Sequence, residues 1–169
     1  MSEITCPSCG QKRETVQGDY QYLESGLDNV WICGIEIFQC PCGESSALIP
    51  NILELHQTIA KCLLQQKRRL TGKEIRFLRK RMAMKGKDFA KLAGVDNATV
   101  SRWENEKEAP SDPADRFIRL FYAIRMELHR EAEELITNIF PEIKPGQPAI
   151  PIHVMADRMG HLSCSSECR

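Results

Sequence analysis

The chain lacks the features that mark membrane and exported proteins. No apolar run in its 169 residues approaches the roughly 18 residues that a transmembrane helix needs. The segment from Met1 to Cys6 has neither the basic start nor the apolar core of a signal peptide. Charged residues make up only 27% of the chain and hydrophobic ones 42%, which excludes the disordered and fibrous classes. We therefore expect a cytoplasmic globular protein, whose eight cysteines serve as metal ligands or free thiols and not as disulfides.

A net charge is also missing, because 23 basic residues balance 23 acidic ones, but the balance is uneven along the chain. Between Lys67 and Lys91, eleven basic residues stand against two acidic ones, which gives this block a net charge of +9. The segments before and after it are acidic. Such a block predicts either a surface for a polyanion or a solvated helix face that acidic neighbours balance in space.

Four cysteines stand in two short motifs that each end in glycine, at residues 6–10 and 40–43. A tight turn with glycine allows the two thiolates of each motif to share one metal ion. The pattern predicts a tetrahedral Zn²⁺ site formed by Cys6, Cys9, Cys40 and Cys42, which is structural because four protein ligands leave no open position. Cys33 is the substitute ligand if Cys40 or Cys42 does not bind. The alternative is a redox pair of Cys40 and Cys42.

The last segment of the chain is rich in proline and predicts an irregular tail over residues 141–169. It holds a second, weaker set of potential ligands, namely His153, His161, Cys164 and Cys168. These four residues either form a second metal site or remain free side chains.

Residues 71–110 have the pattern of three short helices with a tight turn between the second and the third. Thr71 and Glu74 match the capping box that starts a helix. Gly94 is placed to end the second helix, and Asp96 or Asn97 to cap the third. Asp112 and Pro113 predict the start of a further helix. This arrangement is typical of the helix-turn-helix.

The segment from Leu70 to Pro110 resembles the lambda-repressor-like (Cro/Xre) DNA-binding domain. The likeness lies in FAKLAGV at residues 89–95, TVSRWEN at 99–105, and Ala-Pro at 109–110. The order of parts over about residues 4–125 resembles the MqsA/YgiT-type antitoxins, which join a two-knuckle zinc module, a linker helix and a helix-turn-helix.

The resemblance implies a dimer that places its third helix in the major groove of a palindromic double-stranded operator. Carried over to this chain, the base-reading positions are Asn97, Ala98, Thr99 and Arg102. Asparagine pairs well with adenine, and arginine binds guanine bidentately. The positions that contact phosphate are Lys85, Gly86, Lys87, Ser101, Asn105 and Lys107. The alternative for Asn97 and Arg102 is a pair of exposed polar residues on a small helical bundle.

The expected fold is mainly α, with a small β-containing zinc module. We predict a zinc-binding module over residues 1–50, a linker helix over 51–69, a helix-turn-helix domain with a C-terminal helix over 70–140, and the irregular tail. The stripe from Phe117 to Leu128 is the expected dimer seam, although it could also close the core. Within the basic block, we expect some of the residues Arg76, Arg79, Lys80 and Arg81 to pair with the acidic N-terminal module or the acidic last helix.

Two functions follow. One is a type II antitoxin that represses its own operon and neutralises a toxin through the zinc module. The other is a stand-alone Xre-type regulator whose zinc module is structural or docks a protein. An enzyme is not expected, because the sequence shows no nucleophile–base motif and no phosphate-binding glycine loop.

Overall fold

Six α-helices and a five-stranded sheet make up the computed structural model, which describes residues 4–49, 51–157 and 160–168. The strands are β1 (Glu14–Gln21), β2 (Val30–Gln39), β3 (Ser45–Ala47), β4 (Ile152–Ala156) and β5 (Leu162–Ser165). The helices are α1 (Ile52–Gln65), α2 (Gly72–Arg81), α3 (Gly86–Ala93), α4 (Asn97–Glu104), α5 (Asp112–Arg125) and α6 (His129–Glu134). A π-helical turn (Leu135–Ile139) and 3₁₀ turns at Leu23–Ser25 and Phe140–Glu142 complete them. The fold is mainly α with a small β-containing module, as the sequence predicts.

The sheet is built around β2, which is its longest strand. β1 pairs antiparallel with one edge of β2, from Glu14 opposite Gln39 to Gln21 opposite Trp31. The other edge is divided, since β3 pairs antiparallel with residues 37–39 and β4 pairs parallel with residues 30–33. β5 then continues the sheet beyond β4 in an antiparallel hairpin. Both ends of the chain therefore contribute to one sheet.

The prediction of an irregular tail is wrong for residues 152–156 and 162–165. Ile152 and Val154 are 2% and 0% exposed, and the alternating residues His153 and Met155 are more exposed. This alternation is the pattern of a strand with one buried face. The prolines lie before β4 and do not interrupt its pairing, so the segment completes the sheet of the N-terminal module.

The expectation that the cysteines form no disulfides is also wrong. Cys33 pairs with Cys168 and Cys62 with Cys164, with Cα separations of 5.3 and 5.9 Å. The pairing of β4 with β2, and the packing of β5 on α1, bring these distant segments together. Cys33 is therefore not a substitute zinc ligand. A second metal site with His153 and His161 loses both of its thiols.

The starts of the helices follow from local chemistry. The Thr71 side chain accepts a hydrogen bond from the Glu74 amide, and the Glu74 carboxylate accepts one from the Thr71 amide, which confirms the capping box of α2. Asp96 caps α4 by accepting a hydrogen bond from the Thr99 amide. α5 is capped by Ser111 and not by Asp112.

The last long helix is shorter than its apolar stripe predicts. α5 ends at Arg125, and Glu127 has a φ of 57°, in the left-handed region. A non-glycine residue in this conformation breaks the helical hydrogen-bond ladder. The chain resumes in α6 and the π-helical turn, whose buried residues Leu135 and Ile139 pack into the same core.

α1 joins the sheet to the remaining helices within one hydrophobic core. This core contains Val30 and Ile32 of β2, Leu55 and Ile59 of α1, and Trp103 of α4. α1 also packs against β4, β5 and α2. The predicted linker helix is thus a central element of the fold.

Two buried arginines hold the end of α1 against the following helices. Arg119 is fully buried and donates hydrogen bonds to Asp115 and to the backbone carbonyls of Leu63, Leu64, Gln66 and Arg68. The guanidinium therefore satisfies carbonyls that the end of a helix leaves without partners.

Arg68 makes a bidentate ion pair with Glu74 of α2, and both side chains are at least 98% buried.

None of the helices in the described residues is long and apolar enough to cross a membrane.

Candidate nucleic-acid interface and metal centre

The turn between α3 and α4 has the geometry that the sequence predicts. Gly94 ends α3 with φ 68° and ψ 28°, and the Val95 amide donates to the Ala90 carbonyl. Ala90 and Val100 are buried where the two helices approach each other. α4 therefore leaves the turn with one side packed on α3 and the other side exposed.

Glu104 fixes the end of α4 to α2. Its carboxylate accepts hydrogen bonds from Arg79 at 2.6 and 2.8 Å and from Arg76 at 3.2 Å. Burial tends to raise the pKa of Glu104, but the two guanidinium groups outweigh it and lower the pKa below its ordinary value. These arginines thus bind α4, and not the acidic module or the last helix as expected.

Gly72 permits the same close contact from the side of α2. A Cβ atom at this position would lie 2.1 Å from the Trp103 carbonyl oxygen, a distance that no side chain tolerates. Only glycine fits there without moving α4 away from α2.

The four residues predicted to read bases all lie on the outer side of α4, at its first three positions and one turn further on. Asn97, Ala98 and Arg102 are exposed, and Thr99 is partly buried. The opposite side carries Val100 and Trp103, which are 2% and 4% exposed. The structure therefore brings the predicted positions together on one accessible surface.

Arg102 is held in place on this surface by two neighbours. Its Nε donates to Glu108 Oε2 at 2.8 Å, and its Nη2 donates to Thr99 Oγ1 at 2.7 Å. The two ionic side chains are 45% and 50% exposed. Because exposed pairs of this kind contribute only about 0–1 kcal/mol, Arg102 is available to another partner.

The predicted phosphate positions flank this surface. Lys85 and Lys87 are exposed at the start of α3. A Cβ atom on Gly86 would lie 3.2 Å from Asn97 Oδ1, so the start of α3 adjoins the start of α4. Ser101 and Lys107 are exposed as well.

Asn105 differs from the other predicted phosphate positions, because its amide is already engaged. Its Nδ2 donates to the Ser101 carbonyl at 2.7 Å, and its Oδ1 accepts from Arg76 at 3.1 Å.

Most of the basic block is neutralised within the fold. The residues that pair with carboxylates are Lys67, Arg68, Arg69, Lys73, Arg76 and Arg79. Arg81 contacts His56. Lys85, Lys87 and Lys91 are exposed on α3 or at its start, and they have no such ion pair among the described residues. The block therefore serves both the fold and a cationic surface beside α4.

The predicted zinc ligands meet at one end of the sheet. The Sγ atoms of Cys6, Cys9, Cys40 and Cys42 all lie within 4.8 Å of one another, with Cys6 and Cys42 3.8 Å apart and Cys9 and Cys40 3.3 Å apart. A zinc ion about 2.3 Å from each sulfur sets the sulfur atoms of a tetrahedron about 3.8 Å apart. The cluster is therefore compatible with one zinc ion, and its contacts run between the two motifs as a shared metal requires.

Arg13 adds a positive charge to this cluster. Its guanidinium donates to Ser46 Oγ at 2.7 Å and lies 3.6 Å from Cys6 Sγ. Burial tends to raise the pKa of the Cys6 thiol, but hydrogen bonds from Arg13 and the nearby backbone outweigh it and lower the pKa to about 6. A thiol that ionises below neutral pH is suited to bind a metal cation.

A family model for the helix-turn-helix matches residues 75–113. These residues run from α2 to the start of α5. The chain thus carries a helix-turn-helix of the Cro/Xre type, a DNA-binding domain of transcription regulators. No curated protein and no solved structure matches the chain significantly.

Sequence reasoning missed the residues that orient the helix-turn-helix. Gly72, Glu104 and Arg119 are not themselves predicted DNA positions, yet they fix α4 to α2 and α5 to α1. A glycine just inside a capped helix and a carboxylate facing an arginine-rich helix are the sequence signals that mark the first two. The only local sign at Arg119 is Asp115 four residues earlier, because the carbonyls that it binds lie more than 50 residues away.

Proposed function

We propose that the protein represses its own operon by binding a palindromic operator as a homodimer. α4 enters the major groove, and α3 approaches the sugar–phosphate backbone. The observation that carries this proposal is the exposed outer side of α4, which presents Asn97, Thr99 and Arg102 beside a lysine-bearing helix. Helices of this motif read bases from their N-terminal half.

The proposed contacts divide into two kinds. Asn97 and Arg102 read adenine and guanine edges, Thr99 supports Arg102, and Ala98 allows close approach or contacts a thymine methyl group. Backbone phosphates are bound by Lys85, Gly86, Lys87, Ser101, Asn105 and Lys107. Asn105 first has to release Arg76 or Ser101, so we expect it to contribute least to phosphate binding among these six residues.

The dimer seam is proposed on α5. The rings of Phe117 and Phe121 stack with centroids 5.6 Å apart, Phe117 is 36% exposed, and Ile124 is 57% exposed. Leu128 is buried and belongs to the core of the protomer. An exposed apolar strip of this kind favours burial between two copies, which also supplies the second half-site.

The zinc module is proposed to bind one structural Zn²⁺ through its four cysteines. Its further role is proposed to be the neutralisation of a toxin, an mRNA-cleaving ribonuclease, as in the antitoxins that the sequence resembles. What supports this role is the order of the parts, with a cysteine module, a helix and then the helix-turn-helix. The hairpin of β4 and β5 departs from a minimal antitoxin, and it favours the alternative of a stand-alone regulator.

The test is selection of duplexes from a random pool, followed by affinity measurements on the selected sequence. Arg102→Ala should lose about 1–3 kcal/mol on that sequence and relax the preference at one base pair of each half-site. Lys85→Ala should weaken binding to all sequences equally. It should also reduce the steepness of the plot of log affinity against log salt concentration by about one. A palindrome among the selected duplexes is expected from a dimer.

The proposal fails if Arg102→Ala keeps the selectivity of the wild type.

For the toxin, the reading frame adjacent to this gene is expressed alone and then with this protein. Restored growth supports the antitoxin, and an adjacent frame without toxicity supports the stand-alone regulator.

A further inference from the structure

The Cys62–Cys164 disulfide lies in the wall of a cavity of about 550 Å³. The cavity opens between the end of α1 and the hairpin of β4 and β5, and its size is typical of pockets for small ligands, which measure roughly 300–1,000 Å³. Cys62 is 8% exposed, whereas Cys164 is exposed on β5. A small molecule in this cavity would therefore reach the sulfur of Cys164 more easily than that of Cys62.

The lining of the cavity favours a ligand with carboxylate and amide groups. It includes Lys67, Arg68 and His153, and no carboxylate belongs to it among the described residues. Lys67 pairs with Glu142 and Arg68 pairs with Glu74, and both of these glutamates lie outside the lining. The cavity wall is thus largely apolar, and the charged groups that it does carry are cationic.

One atom in each of two buried side chains of this lining has no hydrogen-bond partner within the described part of the chain. They are the Oε1 atom of Gln66 and the Nε atom of Arg68, whose residues are 8% and 2% exposed. Buried polar groups are nearly always hydrogen-bonded in folded proteins, so such groups call for a water molecule or a ligand.

We propose that Cys62–Cys164 is a modification site for a low-molecular-weight thiol that carries carboxylates. The small thiol first loses its proton to the solvent, and the resulting thiolate attacks Sγ of Cys164. A new S–S bond forms between the thiol and Cys164, the Cys164–Cys62 bond breaks, and Cys62 leaves as a thiolate that takes up a proton. The small thiol is oxidised and Cys62 is reduced. This inference does not depend on the proposed function.

The second disulfide provides an internal contrast. The Sγ atoms of Cys33 and Cys168 lie within 4.8 Å of a carboxylate oxygen of Asp19, and Cys33 is 4% exposed. A carboxylate at this distance repels an approaching thiolate that is itself anionic. Cys33–Cys168 should therefore react more slowly and keep the hairpin attached to β2.

The experiment uses the full, zinc-loaded and air-oxidised chain with reduced glutathione as the probe. The reaction is quenched with acid and followed by intact mass and peptide mapping. We expect one adduct on Cys164, a free thiol at Cys62 and an intact Cys33–Cys168 disulfide. The Cys33→Ser/Cys168→Ser double variant should still form the adduct, and Cys62→Ser/Cys164→Ser should not.

The role of the cavity is tested by comparing glutathione with 2-mercaptoethanol, which carries no carboxylate. Lys67→Gln should slow the reaction with glutathione about threefold to fivefold, the effect of one half-exposed charge, and slow that with 2-mercaptoethanol less, because its thiolate is its only negative charge. Lys91→Gln, an exposed lysine outside the lining, should change neither rate. If Lys67→Gln does not fold, added salt on the wild type should slow the glutathione reaction more than that with 2-mercaptoethanol.

Three results would overturn the proposal. The first is a pair of free thiols at Cys62 and Cys164 in the air-oxidised protein. The second is reduction of the Cys33–Cys168 disulfide before that of the Cys62–Cys164 disulfide. The third is a loss of rate in Lys67→Gln that is the same for both thiols.

Discussion

Replacing Glu108 by glutamine should tighten operator binding, because Glu108 competes with DNA for Arg102. In the free protein, Arg102 donates to Glu108 at 2.8 Å, and both side chains are about half exposed. Such a pair is worth about 0–1 kcal/mol, and a bidentate contact with guanine about 1–3 kcal/mol. Arg102 therefore leaves Glu108 on binding. Removing the charge of the carboxylate should make the free energy of operator binding more favourable by up to about 1 kcal/mol, which lowers Kd about fivefold.

The assay is fluorescence anisotropy with the duplex that the wild type selects, at one fixed salt concentration. Glu106→Gln is the matched control, because it removes the same charge from an exposed residue of the same loop. Any gain that both variants share is a general effect of charge on DNA affinity. The additional gain in Glu108→Gln should disappear when Arg102 is also replaced by alanine. If it persists without Arg102, or if the two variants bind equally, Arg102 is not released from Glu108 to read a base.

Three further changes test the metal and the fold. Chelation of zinc should increase hydrogen exchange in residues 4–13 and 40–43 and leave α1 to α5 protected, since no cysteine of the cluster belongs to their core; exchange that rises across all helices would contradict this. Arg119→Ala should lower the free energy of unfolding in urea by about 3–5 kcal/mol, because Asp115 keeps a buried charge without its partner, whereas the exposed Arg116→Ala should have little effect. Burial and the charge of Arg81 lower the pKa of His56 below its ordinary 6.5, so the unfolded chain binds the proton more readily. Stability should be full above about pH 6.5 and fall as the pH decreases below it, and His56→Gln should flatten this part of the curve.

The two cysteine motifs and the helix-turn-helix could be predicted because each depends on residues that are close in sequence. A turn with glycine places Cys6 near Cys9 whatever the rest of the chain does. The capping box at Thr71 and the left-handed Gly94 likewise act over a few residues. Local rules of this kind determine where helices begin and end, and the periodic apolar residues then determine which side is buried.

The hairpin of β4 and β5 could not be predicted in the same way, because its partners are distant. Ile152 pairs with Val30, and each disulfide closes a loop of more than 100 residues. The alternation of Ile152 and Val154 was a usable signal for a strand. The prolines just before this segment favour an irregular structure. The segment forms a strand because the edge of β2 is available to pair with it.

The arginines of the basic block show the limit of a charge argument. Arg68 and Arg79 belong to the same +9 block as Lys85, but they lie against Glu74 and Glu104. Burial of an arginine depends on whether carboxylates and carbonyls converge on it in the folded chain. The charge of a segment predicts that a cationic surface exists, and the packing decides which residues form it.

These buried contacts also bear on how the two halves of the molecule communicate. The sheet packs on α1 through β4 and β5, and the end of α1 is bound by Arg119 of α5. The next residues lead to Arg68, which pairs with Glu74 at the start of α2. A linker with no such contacts would let the sheet and the helix-turn-helix move independently. Here the Cys62–Cys164 disulfide and α2 are connected through α1, both by the packing of α1 on α2 and by the Arg68–Glu74 ion pair that follows α1. An effect of that disulfide on DNA affinity should therefore involve α1.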